Sequence, residues 1–494
     1  MRASKTRRGR RAPARLFARL SGHAILERQP DGLIFVGPRD AAVALGTFSS
    51  RVAERVPELR TGLPLASLAA PGRGRDPELH LLVGRLAKHG LLEYPLRRAG
   101  GEDAVVIEPQ VADYWPATPR LRDADVLVLS RFAYLRRRGD AMVLESPCAG
   151  ALFRICDPQL AGAIARLSTP QQIRALRAQK DFPGLELLAL LLHCGILLKV
   201  DAGDSGQRAN EGDNDLALWD FHDLLFHARS TQGRHTNPVG SVFPHLGAIA
   251  PLPAVRPRRG GQRIDLCALA AAQPQSPLPD PPPLVRLLRE RHSTRSFDHE
   301  RPITLDELAR FLDGAARVLS TWNESIVANA DGPSIEYTAR PYPSAGASYA
   351  LELYLAVDRC DGLARGLYHY DAGGHALVSI GAGTQELDTL LRDAVFAMDA
   401  PGVPQILITI AARFGRVSWK YSSIAYALIL KDVGVLTQTF YLMATAMGLG
   451  GCAIGISNVA LFAKLTGIEL HVEGPVGQFA LGRGAPTPDD VDGG

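Results

Sequence analysis

A chain of 494 residues is too long for one ordinary domain, so we expect about two to four. Its 46% hydrophobic and 21% charged residues are typical of a globular protein and exclude a fibrous or wholly disordered one. The net charge of +4 is small for this length, and much of it lies in residues 1–20, so it does not indicate nucleic-acid binding.

Residues 1–20 are predicted to be a disordered basic tail. They lack the continuous apolar core of a secretory signal, so we expect a cytoplasmic protein with reduced thiols. The six cysteines are scattered without the spacing of metal ligands or of a disulfide framework, and we predict no metal site.

The next part of the chain has the pattern of a degenerate tandem repeat, with copies at 21–110 and 120–201. The first copy begins with two short strands in His23–Val36, and each copy closes with a helix, a glycine (Gly90 or Gly195) and a strand. This order is typical of winged-helix modules, which bind DNA or add a peptide as an extra strand. Neither copy has a clear Arg-rich recognition helix, so DNA binding is the weaker expectation.

Residues 202–282 are predicted to be a linker and docking segment. Asp201–Asp215 is polar and rich in glycine, and Pro274–Pro283 is rich in proline, so both indicate connecting chain. Between them, Trp219–Ser230 has the pattern of an amphipathic helix that docks on a neighbour. Its histidines lack the carboxylate pattern that would complete a metal site.

The C-terminal domain, 283–487, alternates helix and strand and predicts an α+β fold. The domain is predicted to begin with a helix that breaks at Phe297-Asp298. The later apolar helix contains Lys431, Asp432 and Gln438, which favours a core helix over a membrane span. The other predicted elements are a capped helix at Ile303–Val318, strands at Ser348–Asp358 and Gln405–Phe414, a hairpin at Gly366–Ile380, and the long helix from about Ser422 to Met447.

One lysine in this domain stands out because the chain has only seven Lys against 48 Arg. Lys420 lies next to Tyr421 at the start of the long helix. Three other stretches carry weak signals when taken singly: RHSTRSF, whose arginines could clamp a phosphate, and the small-residue loops PYPSAGASY and GLGGCAIG. No Rossmann or P-loop motif is present in the sequence.

In chain order, RHSTRSFDHERPITLDELARFL, PSAGASYALELYL, FGRVSWKY and LTQTFYLMATAMGLGGCAIG resemble the nitroreductase-like flavoproteins. More closely, they resemble the SagB/McbC-type (ThcOx-like) azoline dehydrogenases of ribosomally synthesised peptides. The resemblance covers most of Pro283–Pro486, and Trp219–Ser230 is similar to the segment that precedes this domain in that family.

The resemblance implies a central mixed or antiparallel sheet and FMN bound at a homodimer interface, with the long helix in the dimer core. It also implies a precursor peptide as substrate and a complex with a cyclodehydratase as a further partner, without nucleic acid or membrane. The positions that match the family's flavin contacts are Arg291, Ser293, Arg295, Pro343, Ser344, Ala345, Gly346, Gln438, Gly450, Gly451 and Arg483.

The expected reaction converts a thiazoline or oxazoline to the aromatic azole by removing a hydride and a proton. FMN accepts the hydride, and the protein supplies the base. Free Tyr and Lys have pKa values near 10, but a neighbouring ammonium stabilises a phenolate and burial favours a neutral amine. We therefore predict that Lys420 and Tyr421 form the catalytic pair, with either one as the base.

Two other functions remain open from the sequence. The first is an NAD(P)H-dependent reductase of small molecules or of dehydroamino acids in peptides, which would share the fold and the FMN site. The second is a non-catalytic scaffold, in which the repeats recruit a peptide and the flavin site is degenerate.

Overall fold

A computed structural model describes residues 14–22, 24–29, 32–36, 43–68, 76–179, 181–200, 214–238, 240–268, 282–326 and 333–485. The chain divides into two compact units, Met1–Asn237 and Pro238–Gly494, which are described separately below.

The first unit is built on a seven-stranded sheet of order β5-β1-β6-β7-β11-β10-β9, with two three-stranded sheets of order β12-β8-β13 and β2-β3-β4. Its strands are β1 (Arg15–Leu20), β2 (Leu26–Arg28), β3 (Leu33–Val36), β4 (Val43–Thr47), β5 (Leu63–Pro64), β6 (Leu92–Arg97), β7 (Asp103–Pro109), β8 (Val126–Leu129), β9 (Tyr134–Arg138), β10 (Ala141–Glu145), β11 (Ala151–Ile155), β12 (Gln171–Gln172) and β13 (Leu197–Val200). Its helices are α1 (Ser50–Arg55), α2 (Glu58–Thr61), α3 (Leu65–Leu68), α4 (Pro77–Lys88), α5 (Pro158–Ala165), α6 (Ile173–Arg177), α7 (Leu185–His193), α8 (Asn214–Ala217) and α9 (Phe221–Arg229).

The local signals of the two copies are present, but the copies are not separate folding modules. Gly90 and Gly195 adopt φ values of 66° and 70° after α4 and α7, and a strand follows each. However, β7 of the first copy pairs with β11 of the second, so both copies share one sheet. The prediction of two independent winged-helix-like modules is therefore not confirmed.

One boundary predicted from the sequence is wrong, since the disordered tail does not extend to residue 20, and the predicted linker and docking segment contains ordered elements. Arg15–Leu20 is a strand paired with β6, because its alternate residues Ala18 and Leu20 are buried; the rest of the predicted tail, 1–13, lies outside the described residues. The predicted linker 202–282 contains ordered parts of both units: α9 contacts β9 through Phe221 and Tyr134, and Arg263–Asp265 joins the second unit's sheet. Residues 201–213 and 269–281 lie outside the described part.

The second unit has a seven-stranded antiparallel sheet of order β14-β19-β18-β17-β20-β22-β21 and a hairpin of β15 and β16. The strands are β14 (Arg263–Asp265), β15 (Ser320–Ser325), β16 (Ser334–Ala339), β17 (Leu351–Val357), β18 (Gly366–Asp371), β19 (Ala376–Ile380), β20 (Ile406–Arg413), β21 (Gly450–Ile454) and β22 (Glu473–Gly482). The helices are α10 (Leu284–Glu290), α11 (Leu305–Ala316), α12 (Thr384–Met398), α13 (Phe414–Ser418), α14 (Ala425–Ala446) and α15 (Val459–Thr466).

This sheet is covered by helices on both faces. Leu353 and Leu355 of β17 belong to the core that contains α11 and α14, whereas Ala356 belongs to the core that contains α12. Strands buried on both faces are rich in apolar residues without polar alternation, as in β20. The predicted α+β architecture of this domain, with an antiparallel sheet and a long helix, is confirmed.

The helix α14 runs along the core of this unit. By length and composition it could cross a membrane, but one stripe of it, including Ile429, Leu436 and Phe440, is buried against the sheet and α11. Other apolar positions are exposed: Leu430 keeps 37% and Tyr426 keeps 45% of its accessible surface. The helix therefore has a second apolar face beyond the one that packs inside this unit.

Candidate active site

The loop before β17 brings the predicted small residues to one place. Ser344 Oγ donates to Asp432 Oδ2 at 2.6 Å, and the Ala345 N–H donates to Asp432 Oδ1 at 3.0 Å. Gly346 has a φ of 53°, a left-handed conformation that favours glycine. The carboxylate of Asp432, on α14, thus holds the loop against this helix.

Asp432 is an interruption in an otherwise apolar helix and is 5% exposed. Burial raises the pKa of its carboxyl above the ordinary value, although the hydrogen bonds from Ser344 and Ala345 act in the opposite direction. A buried carboxylate is retained here because it satisfies a backbone N–H of the loop and a hydroxyl.

Lys420 and Tyr421 lie between α13 and α14, at the junction that the sequence predicts. Lys420 Nζ donates to the carbonyl oxygen of Gly346 at 3.2 Å and to Tyr337 Oη at 3.3 Å. A Cβ on Gly346 would lie 2.7 Å from Lys420 Nζ and closer still to Tyr421 Oη. The structure therefore brings together Lys420, Tyr421 and Gly346 of the predicted loop, and adds Tyr337. We call these four residues the lysine cluster.

The amine of Lys420 lies over two aromatic rings. Its Nζ is 5.1 Å from the ring centroid of Tyr337 and 5.7 Å from that of Tyr421. The Tyr337 ring stacks in turn on Trp322 of the neighbouring strand β15, at 5.7 Å between centroids. Among the described residues Lys420 has no carboxylate partner, so its Nζ is held by ring faces and neutral oxygens.

Residues of the predicted linker support the lysine cluster from the other side. The N–H groups of Val242 and Phe243 donate to the carbonyl oxygen of Lys420, at 3.0 and 3.1 Å. Trp419 Nε1 donates to the carbonyl oxygen of Ile249 at 2.6 Å. The segment 240–254, which we call the strap, therefore fixes the backbone on which Lys420 stands.

Arg416 joins the strap to the loop and to β16. Its guanidinium donates to the carbonyl oxygens of Leu252, Ser348 and Glu336, at 2.7, 3.0 and 3.1 Å. Burial is the main cause that lowers the pKa of Arg416 to about 10, and the nearby Arg413 adds to it. Because all three acceptors are backbone groups, Arg416 has a structural role. It lies four residues before Lys420, so it also holds the backbone close to that lysine.

The predicted phosphate clamp lies at the other end of α14. The helix α10 ends at Glu290 instead of reaching Phe297, because Arg291 has an extended conformation, so Arg291 and Arg295 do not share a helical face. The Arg291 guanidinium lies over the Tyr441 ring, 5.0 Å from its centroid, and the hydroxyls of Ser293 and Tyr441 share a hydrogen bond of 2.8 Å. We call Arg291, Ser293, Arg295 and Tyr441 the arginine cluster.

The charges of the arginine cluster are uncompensated. Within the part of the chain that the structure describes, neither Arg291 nor Arg295 forms a salt bridge, whereas many other arginines do. The Arg291 guanidinium and the Ser293 hydroxyl, with no carboxylate paired to Arg291 among the described residues, fit a phosphate group, and the exposed Arg295 lies two residues further along the chain.

The remaining predicted contacts have mixed surroundings. Gly450 and Gly451 pack against Thr294 and Phe479, and the Thr294 N–H donates to Gly451 O at 2.8 Å, so both glycines lie next to the arginine cluster. Gln438 is exposed on α14. Pro343 begins the loop. The site roles of these residues stay predictions.

Arg483 is engaged by an acidic side chain. Its Nη2 donates to both carboxylate oxygens of Glu307, at 2.7 Å to Oε1 and 2.9 Å to Oε2. Burial acts to raise the pKa of Glu307, but the hydrogen bonds from Thr304 and Arg483 hold it below its ordinary value. A phosphate role for Arg483 would therefore have to compete with this ion pair.

The two clusters are attached to one helix at different positions. Asp432 and Tyr441 are nine residues apart, which corresponds to about 13 Å along α14 and about half a turn around it. The lysine and arginine clusters thus lie against opposite sides of α14.

Two residues of these clusters, Tyr337 and Tyr441, and the loop's partner Asp432 were missed by sequence reasoning. Asp432 carries a detectable signal, since a carboxylate inside an apolar helix predicts a specific partner. Tyr337 and Tyr441 carry none, because a tyrosine in a strand or a helix is ordinarily a packing residue. Among the described residues no group of His, Cys, Asp and Glu is arranged to hold a metal ion.

Comparisons with known proteins place this geometry in context. A family model for the cyanobactin oxidase ThcOx matches residues 127–236, and the nitroreductase family model matches residues 288–483. A protein of Methanocaldococcus jannaschii, named "Putative nitroreductase MJ1384", is 30% identical over 169 residues, which is 34% of this chain and 76% of that protein.

Among solved structures, a protein from Ralstonia eutropha described as a "putative nitroreductase" is 24% identical, with a TM-score of 0.35. The alignment covers 51% of this chain and 100% of that one. A chain of the E. coli microcin synthetase McbBCD complex with truncated pro-MccB17 bound is 21% identical, with a TM-score of 0.33. It covers 50% of this chain and 91% of that one.

Proposed function

Since the chain belongs to the nitroreductase family of oxidoreductases, with a ThcOx-type segment before the nitroreductase domain, we propose that it is an FMN-dependent azoline dehydrogenase. Its substrate would be a ribosomally synthesised peptide in the cytoplasm, whose thiazoline or oxazoline rings it oxidises to azoles. The observation that carries the proposal is the meeting of Lys420, Tyr421 and Gly346 in one cluster.

The residues present fit a flavin mononucleotide. Arg291 and Arg295, which form no salt bridge among the described residues, suit its phosphate together with Ser293, and the left-handed peptide at Gly346 allows a flat ring to approach the backbone. When bound, FMN supplies a two-electron acceptor.

The chain's own part in the reaction is to take a proton. Aromatising an azoline removes one hydrogen with its electron pair and one proton from adjacent ring carbons, so two hydrogens are lost in all. Lys420 Nζ or Tyr421 Oη receives the proton, and the Gly346 carbonyl and Tyr337 hydroxyl hold the amine in place. The burial of Lys420 against both rings excludes water from this group.

The site also supports a homodimer. Because the two clusters lie on opposite sides of α14, one flavin can meet both kinds of group if a second copy brings its lysine cluster to the first copy's arginine cluster. The exposed apolar face of α14, with Tyr426 and Leu430, suits such an interface. A cyclodehydratase that makes the azoline is the expected further partner.

The test is a visible spectrum of the purified protein, followed by mass analysis after incubation with an azoline-bearing peptide in air. We expect a yellow protein with the absorption of an oxidised flavin and the loss of two hydrogens per azole formed. A yellow protein that leaves every azoline peptide unchanged would contradict the dehydrogenase, and a colourless protein would favour a non-catalytic scaffold.

The second candidate is a reductase that uses NAD(P)H on nitro compounds, quinones or dehydroamino acids. The observation that favours it is the 30% identity to the Methanocaldococcus protein, whose name is that of a nitroreductase. Rapid consumption of NADPH with such an acceptor, and no azoline oxidation in air, would replace the first proposal with this one.

A further inference from the structure

The first unit contains a cavity of about 80 Å³ that belongs to neither cluster described above. It lies between α9 and the β9–β11 end of the large sheet. Arg136 of β9, Leu152 of β11, Leu225 and Arg229 of α9, and Arg234 and His235 after α9 all line it.

The cavity holds more positive than negative charge. Arg136 donates to Glu145 at 2.7 Å, and Arg138 donates to Glu108 at 2.6 Å, so both of these guanidiniums are compensated. Among the residues of the first unit that the structure describes, neither Arg229 nor Arg234 forms a salt bridge, and Arg234 donates only a long hydrogen bond to the carbonyl oxygen of Cys148, at 3.5 Å. Burial, and then the neighbouring Arg136, lower the pKa of Arg229, and the nearby Glu145 and Tyr134 offset this only in part.

His235 adds a hydrogen-bond donor without an acceptor. Its Nδ1 accepts from the Asn237 N–H at 3.1 Å, so the proton of the neutral imidazole lies on Nε2. That Nε2 is buried and has no hydrogen-bond partner among the described residues. A buried donor that makes no hydrogen bond costs free energy, and an anionic oxygen would accept a hydrogen bond from it.

The rest of the lining decides which anion fits. Leu152, Leu225 and Ala228 are apolar, so they suit a carboxylate on an aliphatic stem better than a bare inorganic ion. Tyr134, Arg136 and Arg138 of β9 also line the cavity, and β9 is an end strand of the seven-stranded sheet, so it presents backbone groups along that edge. A peptide could pair with this edge while it inserts a side chain.

We propose that this cavity binds a glutamate or aspartate side chain of an acidic peptide. Arg229 and Arg234 bind the carboxylate oxygens, and His235 Nε2–H donates to the same group. The site lies in the first unit, and its existence does not depend on the redox chemistry proposed for the second.

The experiment measures the fluorescence anisotropy of two dye-labelled peptides with the full-length protein. One peptide alternates Glu with Leu, and the other has Gln in place of each Glu. We expect the Glu peptide to bind about tenfold more tightly or better, since charge-assisted hydrogen bonds are the strong ones. Arg229→Gln and His235→Leu should each weaken its binding by about tenfold, because each removes one donor.

Arg137→Gln is the matched control, because Arg137 lies on the same strand but does not line the cavity and is paired with the exposed Asp140. It should change the Kd less than about twofold. Equal binding of the Glu and Gln peptides, or equal damage from Arg137→Gln and Arg229→Gln, would overturn the proposal. In a competition experiment, millimolar phosphate and unlabelled Glu peptide are each added to the labelled complex. Equal displacement of the labelled peptide by the two would assign the cavity to a small anion and would also overturn the proposal. Thermal unfolding of each variant shows that it is folded.

Discussion

Lys420 is held by neutral groups, and this is the residue-scale basis of the proposed chemistry. Its Nζ donates to a backbone carbonyl and a phenol, and within the described residues no carboxylate neutralises it. An amine that is positioned without an ion pair keeps its acid–base chemistry for the substrate. The Tyr421 hydroxyl lies beside the same face of Gly346 as the Lys420 amine.

Replacing either member of the pair should slow turnover and leave the cofactor bound. We expect Lys420→Met and Tyr421→Phe to lower kcat for azoline oxidation by about 10²- to 10⁴-fold, as for loss of a general base. Mass-based initial rates and the flavin absorbance of each variant check this. Lys464→Met is the control, since Lys464 is an exposed partner of Glu386. Colourless variants would instead give the pair a structural role.

Gly346 offers a sharper test because a second glycine shares its backbone conformation. Gly346 and Gly467 have φ values of 53° and 67°, but only Gly346 would direct a Cβ against Lys420 and Tyr421; at Gly467 nothing lies within 4 Å. Each change to Ala should cost about 1 kcal/mol of unfolding free energy from the left-handed conformation. Only Gly346→Ala should also reduce activity, by more than about tenfold, because it displaces the proton acceptor.

Comparable activity losses in the two alanine variants would show that backbone strain, and not contact with the lysine cluster, explains the effect. Thermal unfolding and initial rates on the same preparations separate the two contributions.

At the scale of elements, the loop of Ser344–Gly346 and the helix α14 are joined by a single carboxyl group. Asp432 accepts from Ser344 Oγ and from the Ala345 N–H, so this one carboxyl group holds two points of the loop. The loop's position therefore depends on the protonation and charge of a group that the apolar helix surrounds.

The pKa of Asp432 predicts a pH dependence of stability. Its pKa is raised in the folded protein, chiefly by burial, so the folded state binds a proton more tightly than the unfolded state. The stability from this group is complete below the ordinary Asp pKa, near 4, and is lost as the pH rises through the higher folded value. The thermal midpoint of Asp432→Asn, measured against wild type from acid to neutral pH, should therefore improve relative to wild type as the pH rises.

Asp140→Asn is the exposed control for that series, since its side chain is fully accessible. A difference between Asp432→Asn and wild type that stays constant with pH would contradict the assignment of the raised pKa.

Elements with a local signal could be predicted from the sequence, and those made by distant pairing could not. The strand at 405–414, the helix that follows it, and the capping box of Thr304 and Glu307 are all present, because each depends on residues close in the chain. Tyr337 reaches Lys420 across 83 residues, and β7 reaches β11 across the predicted module boundary. Neither pairing leaves a periodic pattern in the sequence.

At the scale of the whole molecule, the half-turn between Asp432 and Tyr441 is the geometry on which the proposed homodimer depends. The arginine cluster of one copy would work with the lysine cluster of the other across α14. The order of motifs along the sequence, by itself, does not reveal this, because it says nothing about the side of the helix on which each motif lies.

Subunit complementation tests the shared site. A heterodimer of Lys420→Met and Arg291→Gln chains would have one doubly defective site and one intact site. Random mixing of two inactive homodimers, by denaturation and refolding or by co-expression, should therefore restore about a quarter of the wild-type specific activity. Mixing without recovery, in samples where native mass spectrometry shows the heterodimer, would place each site within one chain.

The strap has a consequence for how this enzyme can be divided. The backbone N–H groups that hold the Lys420 carbonyl come from Val242 and Phe243, about 45 residues before the nitroreductase match begins at residue 288. A fragment that begins at residue 288 would keep the main strands of the sheet and the arginine cluster. It would lose the hydrogen bonds from Val242 and Phe243 to the carbonyl oxygen of Lys420. The smallest piece able to carry out the proposed chemistry should therefore begin near Pro238.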